Sequence, residues 1–83
     1  MITSAQIRAA RGLLKWTQAM LAARAATSIV TLNMIENDGV RARAGTLDGI
    51  QRALEAAGVE FLGAEGDGLG VRFRASAERR GRR

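Results

Sequence analysis

The sequence has no cysteine and no histidine. The first absence removes disulfides, thiolate metal ligands and a cysteine nucleophile. The second removes the commonest metal ligand and the commonest general acid–base group. No apolar run approaches the roughly 18 residues that a membrane span requires, and no signal-peptide pattern opens the chain. With 83 residues, a single domain is expected, too small to enclose a deep substrate cavity. Little is left from which to build an enzyme. The expectation is a cytoplasmic protein that needs no cofactor and no metal.

Acidic residues are also missing, but only locally. Residues 1–35 carry Arg8, Arg11, Lys15 and Arg24 and no acid, a charge of +4. Residues 36–70 carry Arg41, Arg43 and Arg52 against Glu36, Asp38, Asp48, Glu55, Glu60, Glu65 and Asp67, a charge of −4. From Val71 onward Arg72, Arg74, Arg79, Arg80, Arg82 and Arg83 face Glu78 alone, giving +5. A basic half of this kind suits a polyphosphate partner, because each Lys or Arg near a phosphate releases condensed counterions. An arginine-rich solvated surface would show the same balance.

What the chain does have is concentrated between Thr17 and Glu36. This stretch reads as two short helices with a tight connection. In the first, Leu21, Ala22 and Ala25 fall on one side, and their small size permits close approach. In the second, Ser28, Thr31, Leu32 and Ile35 face inward, while Val30, Asn33, Met34 and Asn37 face away and Ile29 lies on the flank. That pattern is a helix-turn-helix.

Trp16-Thr17-Gln18, Leu21-Ala22, Ala25-Ala26-Thr27-Ser28, Leu32 and Ile35-Glu36 together resemble the helix-turn-helix of the lambda-repressor and Cro type, the XRE family. The similarity extends through Gly39 and a helix from Thr46 to Ala57. The ending Ala56-Ala57-Gly58-Val59-Glu60-Phe61 resembles a small bacterial subset of the family. The resemblance implies a mainly α, lambda-repressor-like domain of about four helices followed by a short antiparallel β-hairpin. It implies a transcriptional regulator, repressor or activator, that binds double-stranded DNA and associates with the nucleoid. Ile29, Val30, Asn33 and Met34 correspond to the family's base-facing positions. Gln18 corresponds to a residue that touches the DNA backbone, and the loop carrying Arg41 and Arg43 lies beside that backbone. Ser28 and Asn37 complete the expected DNA-binding set. One departure stands out, because the family usually has Gly where Ala26 stands. If the turn is left-handed there, Ala costs about 1 kcal/mol or more.

Taken in order, Thr3 and Gln6 form a capping box for a helix from Ser4 to Lys15, carrying Ile7, Ala10 and Leu14 on its inner face. Gly12 weakens that helix by about 1 kcal/mol relative to Ala. Trp16 is placed as a hydrophobic staple before Thr17, the cap of helix two, which runs from Gln18 to Ala25. Ser28 begins and caps helix three, which ends at Glu36 before the turn Asn37-Asp38-Gly39. Asn33 can pair with an adenine edge, and Val30 or Ile29 can pack on thymine methyls. Thr46 is expected to cap helix four, with Leu47, Ile50 and Leu54 as its buried stripe and Gly58 at its end.

From Val59 the pattern alternates, with Val59 and Phe61 on one side and later Val71 and Phe73 likewise. The intervening run from Gly63 to Gly70 is a glycine-rich loop that lacks the Lys-Ser or Lys-Thr of a nucleotide-binding loop. Residues 1–58 thus form the DNA-binding part. Residues 59–74 form a hairpin of the same domain, expected to mediate homodimerisation through Val59, Phe61, Val71 and Phe73, because two short strands are marginal alone. Residues 75–83 read as a disordered basic tail. A rival reading uses the apolar Ile29, Val30 and Met34 face to bind and inhibit a protein, either another regulator or a toxin.

Overall fold

A computed structural model of the chain describes residues 2–37, 42–63 and 68–74. Within these the order is α1 (Ser4–Leu14), α2 (Gln18–Ala25), α3 (Ile29–Glu36), α4 (Ala44–Ala56), β1 (Val59–Leu62) and β2 (Gly70–Phe73). The mainly helical architecture with a terminal antiparallel hairpin matches the expectation. Arg41, the Asp38-Gly39 turn, the middle of the glycine-rich loop and the 75–83 tail lie outside the described residues.

Local chemistry accounts for each helix start. The Thr3 hydroxyl accepts from the Gln6 N–H at 3.1 Å, while Gln6 Oε1 accepts from the Thr3 N–H at 2.9 Å, so the reciprocal capping box forms. Thr17 caps α2 by accepting from the Met20 N–H at 3.1 Å. Ser28 caps α3 by accepting from the Thr31 N–H at 3.0 Å. Its extended backbone, with ψ 156, places the first helical residue at Ile29 rather than at Ser28 itself. Thr46 is not the cap of α4. Arg43 occupies that position without a side-chain hydrogen bond, and the Leu47 N–H reaches the Arg43 carbonyl at 3.0 Å. Ala44, the strongest kind of helix former, lets the first turn close ahead of Thr46.

The helix ends are less conventional. α1 stops at Leu14, one residue earlier than expected, because Lys15 turns left-handed at φ 59. The N–H groups of Lys15 and Trp16 then bond back to the carbonyls of Gly12 and Arg11 at 3.2 and 3.0 Å. α2 ends in the same way at Ala26, φ 57 and ψ 44, with the Thr27 N–H on the Ala22 carbonyl at 3.0 Å. Both positions carry a Cβ in a region where only glycine is at ease.

The core gathers Ile7 and Ala10 from α1, Leu21 and Ala22 from α2, Leu32 and Ile35 from α3, Ile50 and Leu54 from α4, Ile2 ahead of α1, and Val59 from β1. Ile7, Leu21, Leu32, Ile50 and Leu54 are completely buried, each side chain contributing about 1.5–3 kcal/mol by leaving water. Leu47, half-buried, completes the α4 stripe, and Trp16 packs on the margin of the core. α2 and α4 approach closely at Gly49, where an added Cβ would lie 3.3 Å from the Ala25 carbonyl oxygen.

The hairpin closes this core. Val59 pairs with Phe73 and Phe61 with Val71, so the four expected apolar residues share one face. That face turns inward, β1 against α4 and β2 against α1. The Gln6 side chain, buried in α1, donates from Nε2 to the Gly70 carbonyl at 2.9 Å and latches β2 to the first helix. At the base, the Arg74 N–H meets the Gly58 carbonyl at 2.9 Å, and Gly58 sits at φ 110. A Cβ there would lie 2.8 Å from the Arg74 oxygen. On the opposite face Glu60 pairs with Arg72 at 2.5 Å and with Arg74 at 2.7 Å, exposed bridges of little energetic weight.

The left-handed Ala26 sets a test. Ala26→Gly relieves about 1–2 kcal/mol of backbone strain and returns about 0.4–1 kcal/mol to the unfolded chain as entropy. A net gain of about 0.5–1 kcal/mol is expected in urea unfolding, and a loss would contradict the assigned turn geometry.

Candidate nucleic-acid interface

The end of α3 is anchored by a buried acid. Glu36 lies four residues beyond Leu32 and so points to the same inward side, where its side chain is 2% exposed. Arg11 of α1 meets it in a two-pronged pair, Nε to Oε2 at 2.8 Å and an Nη to Oε1 at 2.9 Å. Another Arg11 Nη donates to the Trp16 carbonyl at 3.0 Å, tying the α1–α2 connection to the same point. Arg8 donates to the Glu36 main-chain carbonyl. Gln18, the first residue of α2, donates from Nε2 to Glu36 Oε1 at 3.1 Å. Three helices therefore converge on one carboxylate, with no buried polar side-chain atom left unpartnered among the described residues.

Burial pushes the Glu36 carboxyl up, but the Arg11 and Gln18 hydrogen bonds and the Arg11 and Arg8 charges outweigh it and hold the group below its ordinary value. The hydrogen bonds that Arg11 donates to Glu36 raise Arg11 in turn, against the opposing effect of burial. The sequence signal for this cluster was present. Glu36 is the first acid after 35 residues without one, and it continues the Leu32–Ile35 stripe. In the sequence it reads as the end of α3 and as part of the family resemblance, with no partner indicated.

The outer face of α3 carries the expected base-facing residues together. Ile29, Val30, Asn33, Met34 and Asn37 are all exposed. The polar ones are linked: Gln18 Oε1 accepts from Asn33 Nδ2 at 3.4 Å, and Asn33 Oδ1 accepts from Asn37 Nδ2 at 3.2 Å. A chain of amides thus runs from the buried carboxylate to the surface. Asn33 keeps one N–H and one lone pair free, the combination that an adenine edge requires. Gln18 is half-buried and held from both sides rather than freely solvated. Ser28 is exposed, but its hydroxyl serves the cap and donates to Thr31 Oγ1 at 2.9 Å.

The cations are less available than their sequence positions imply. Arg11 is neutralised by Glu36, Arg8 is engaged by its carbonyl, and Arg24 stacks over the Trp16 ring at 4.7 Å from its centroid. Arg52 pairs with Asp48 along α4 at 2.9 Å. Arg43 is exposed at the start of α4, and among the described residues its side chain makes no hydrogen bond or ion pair. Of the expected dimerisation residues, Val59 is buried in its own core, Phe61 and Val71 are half-buried, and Phe73 is 41% exposed.

This arrangement has a family. A helix-turn-helix sequence family matches residues 7–61, from within α1 into β1. The chain belongs to the XRE-type helix-turn-helix family. It is a DNA-binding regulator of that family, and double-stranded DNA is its partner. No curated protein matches the chain. Among the described residues no helix is long and apolar enough to cross a membrane.

In this XRE-type domain the Glu36 cluster predicts the pH response. Between the depressed folded value and the ordinary one near 4.3, the unfolded chain binds more protons than the folded chain. The contribution is therefore complete above about pH 4.3 and is lost as pH falls through the folded value. Glu36→Gln should cost about 2–3 kcal/mol at pH 7, less than a fully buried pair because Arg11 is 22% exposed. It should also flatten the acid limb of urea stability measured against pH. An unchanged acid limb would mean that another carboxylate governs it.

Proposed function

We propose that this protein is a sequence-specific transcriptional regulator that acts as a homodimer on an inverted-repeat operator, repressing by covering a promoter or activating by presenting a surface to polymerase. The observation that carries this reading is the exposed outer face of α3, held in a fixed pose by the Glu36 cluster and bearing Asn33 with a free donor and a free acceptor. In this reading α3 enters the major groove, and the start of α2 at Gln18 approaches a phosphate with its unpaired backbone amides and partial positive charge. Arg43 supplies a phosphate contact from the loop before α4, and Arg41 belongs to the same loop.

Dimerisation is proposed because one such module buries little DNA surface, whereas two related by a twofold axis read half-sites about 34 Å apart. Phe73 and Leu69, both exposed on the hairpin, are the apolar groups available for that contact, next to Phe61 and Val71. The competing reading, in which Ile29, Val30 and Met34 bind a regulator or toxin, is favoured by the exposure of those three residues and makes the opposite forecast for DNA.

Selection from a randomised duplex pool at about 150 mM salt, where nonspecific contacts weaken, should enrich an inverted repeat with half-sites one turn apart. No enrichment by folded protein would refute operator binding, and a single ungapped half-site would refute the dimer. Two substitutions then separate base from phosphate contacts. Asn33→Ala should weaken binding to the selected site by about 1–3 kcal/mol and relax preference at one position. Arg43→Ala should weaken all duplexes alike and reduce the salt slope by about one unit. Equal loss on all sequences with Asn33→Ala would remove it from the base-reading set.

A further inference from the structure

The outer face of α3 is unusual for the task assigned to it. Val30 is 69% exposed, Ile29 50% and Met34 42%, and the eight residues of α3 include no arginine or lysine. Those are the side chains that most commonly read guanine through two hydrogen bonds, and α3 has neither. An apolar group set against the polar edge of a base dehydrates that edge without replacing its hydrogen bonds. The major-groove feature that it does match is the 5-methyl group of thymine.

We infer that this protein reads pyrimidine 5-methyl groups as its principal sequence signal, through Val30, Ile29 and Met34. The inference rests on the DNA-binding reading above and specifies what that site recognises. An eight-residue helix is about 12 Å long, the axial length of about three to four base pairs. Its three apolar side chains therefore meet a short run of adjacent base pairs. Asn33, tied to Gln18 and Asn37, reads at most one adenine among them. A protein partner fits the face less well. Three side chains interleaved with the Asn33 and Asn37 amides are few beside the about 800 Å² that each member of a stable protein complex contributes.

The test begins from the operator obtained by selection and replaces thymines one at a time with deoxyuridine, which removes the methyl and preserves base pairing and both hydrogen-bonding edges. Each contacted thymine should then weaken binding about fourfold, the effect of one buried methyl-sized group. At the same positions 5-methylcytosine should bind more tightly than cytosine. Val30→Ala, at an exposed site where Ala is the better helix former, keeps the fold, which circular dichroism checks, and should bind thymine and uracil duplexes equally at the position that Val30 faces. If the wild-type protein prefers its operator over unrelated DNA yet does not distinguish uracil from thymine anywhere in it, methyl reading is overturned and DNA binding stands. If folded protein binds no duplex, both fall, and the face belongs to a protein partner.

Discussion

The pairing of Arg11 with Glu36 determines how the rest of the molecule can be arranged. α3 is only two turns long, and its inward side offers Leu32 and Ile35 to the core, too little by itself to set the rotation and tilt of the helix. The carboxylate adds direction to a non-directional contact. Two parallel hydrogen bonds from a planar guanidinium fix orientation as well as distance, and Arg8 holds the last carbonyl of the same helix. Gln18 carries the constraint across to the start of α2. The pair also ties the pose of α3 to stability: a lesion in α1, remote in sequence from the outer face, would displace that face as well as weaken the fold.

Most of the fold was legible in the sequence because it is written locally. The caps at Thr3, Thr17 and Ser28 are side-chain chemistry within three residues of their targets, and the stripes of α1, α2 and α4 follow from the helical period. Thr46 has the chemistry of a cap, but the helix begins at Ala44, whose propensity closes the first turn without a side-chain cap. Lys15 gave no glycine-like warning of its left-handed turn, which is imposed by the return bonds of Lys15 and Trp16 to α1.

The site was legible to a different degree. Its exposed members on α3 could be identified by position around the helix, and they do lie together. Of the network beneath them only Glu36 carries a signal, as an acid that continues the buried stripe; Arg11 and Gln18 are brought to it by tertiary packing alone. The charge pattern was legible in part: Arg11 is neutralised by Glu36, whereas Arg8, Lys15 and Arg24 remain exposed and charged. The strands of the hairpin are legible as alternating residues, but Gln6 as its latch is not, because the capping box already accounts for that residue.

The methyl reading proposed for α3 makes a demand on rigidity. A long charged side chain tolerates an ångström of misplacement, since a flexible stem can follow its partner. A valine against a methyl group cannot, because a radial gap of about 0.5–1 Å forfeits a quarter to a half of the dispersion attraction. A helix that reads methyl groups must therefore be held more firmly than one that extends arginines. The Arg11–Glu36 pair anchors the end of α3 and the Ser28 side chain caps its start. The strained Ala26 turn fits the same logic, for a Cβ at that position narrows the alternatives open to the α2–α3 connection and spends a little stability on constraining it.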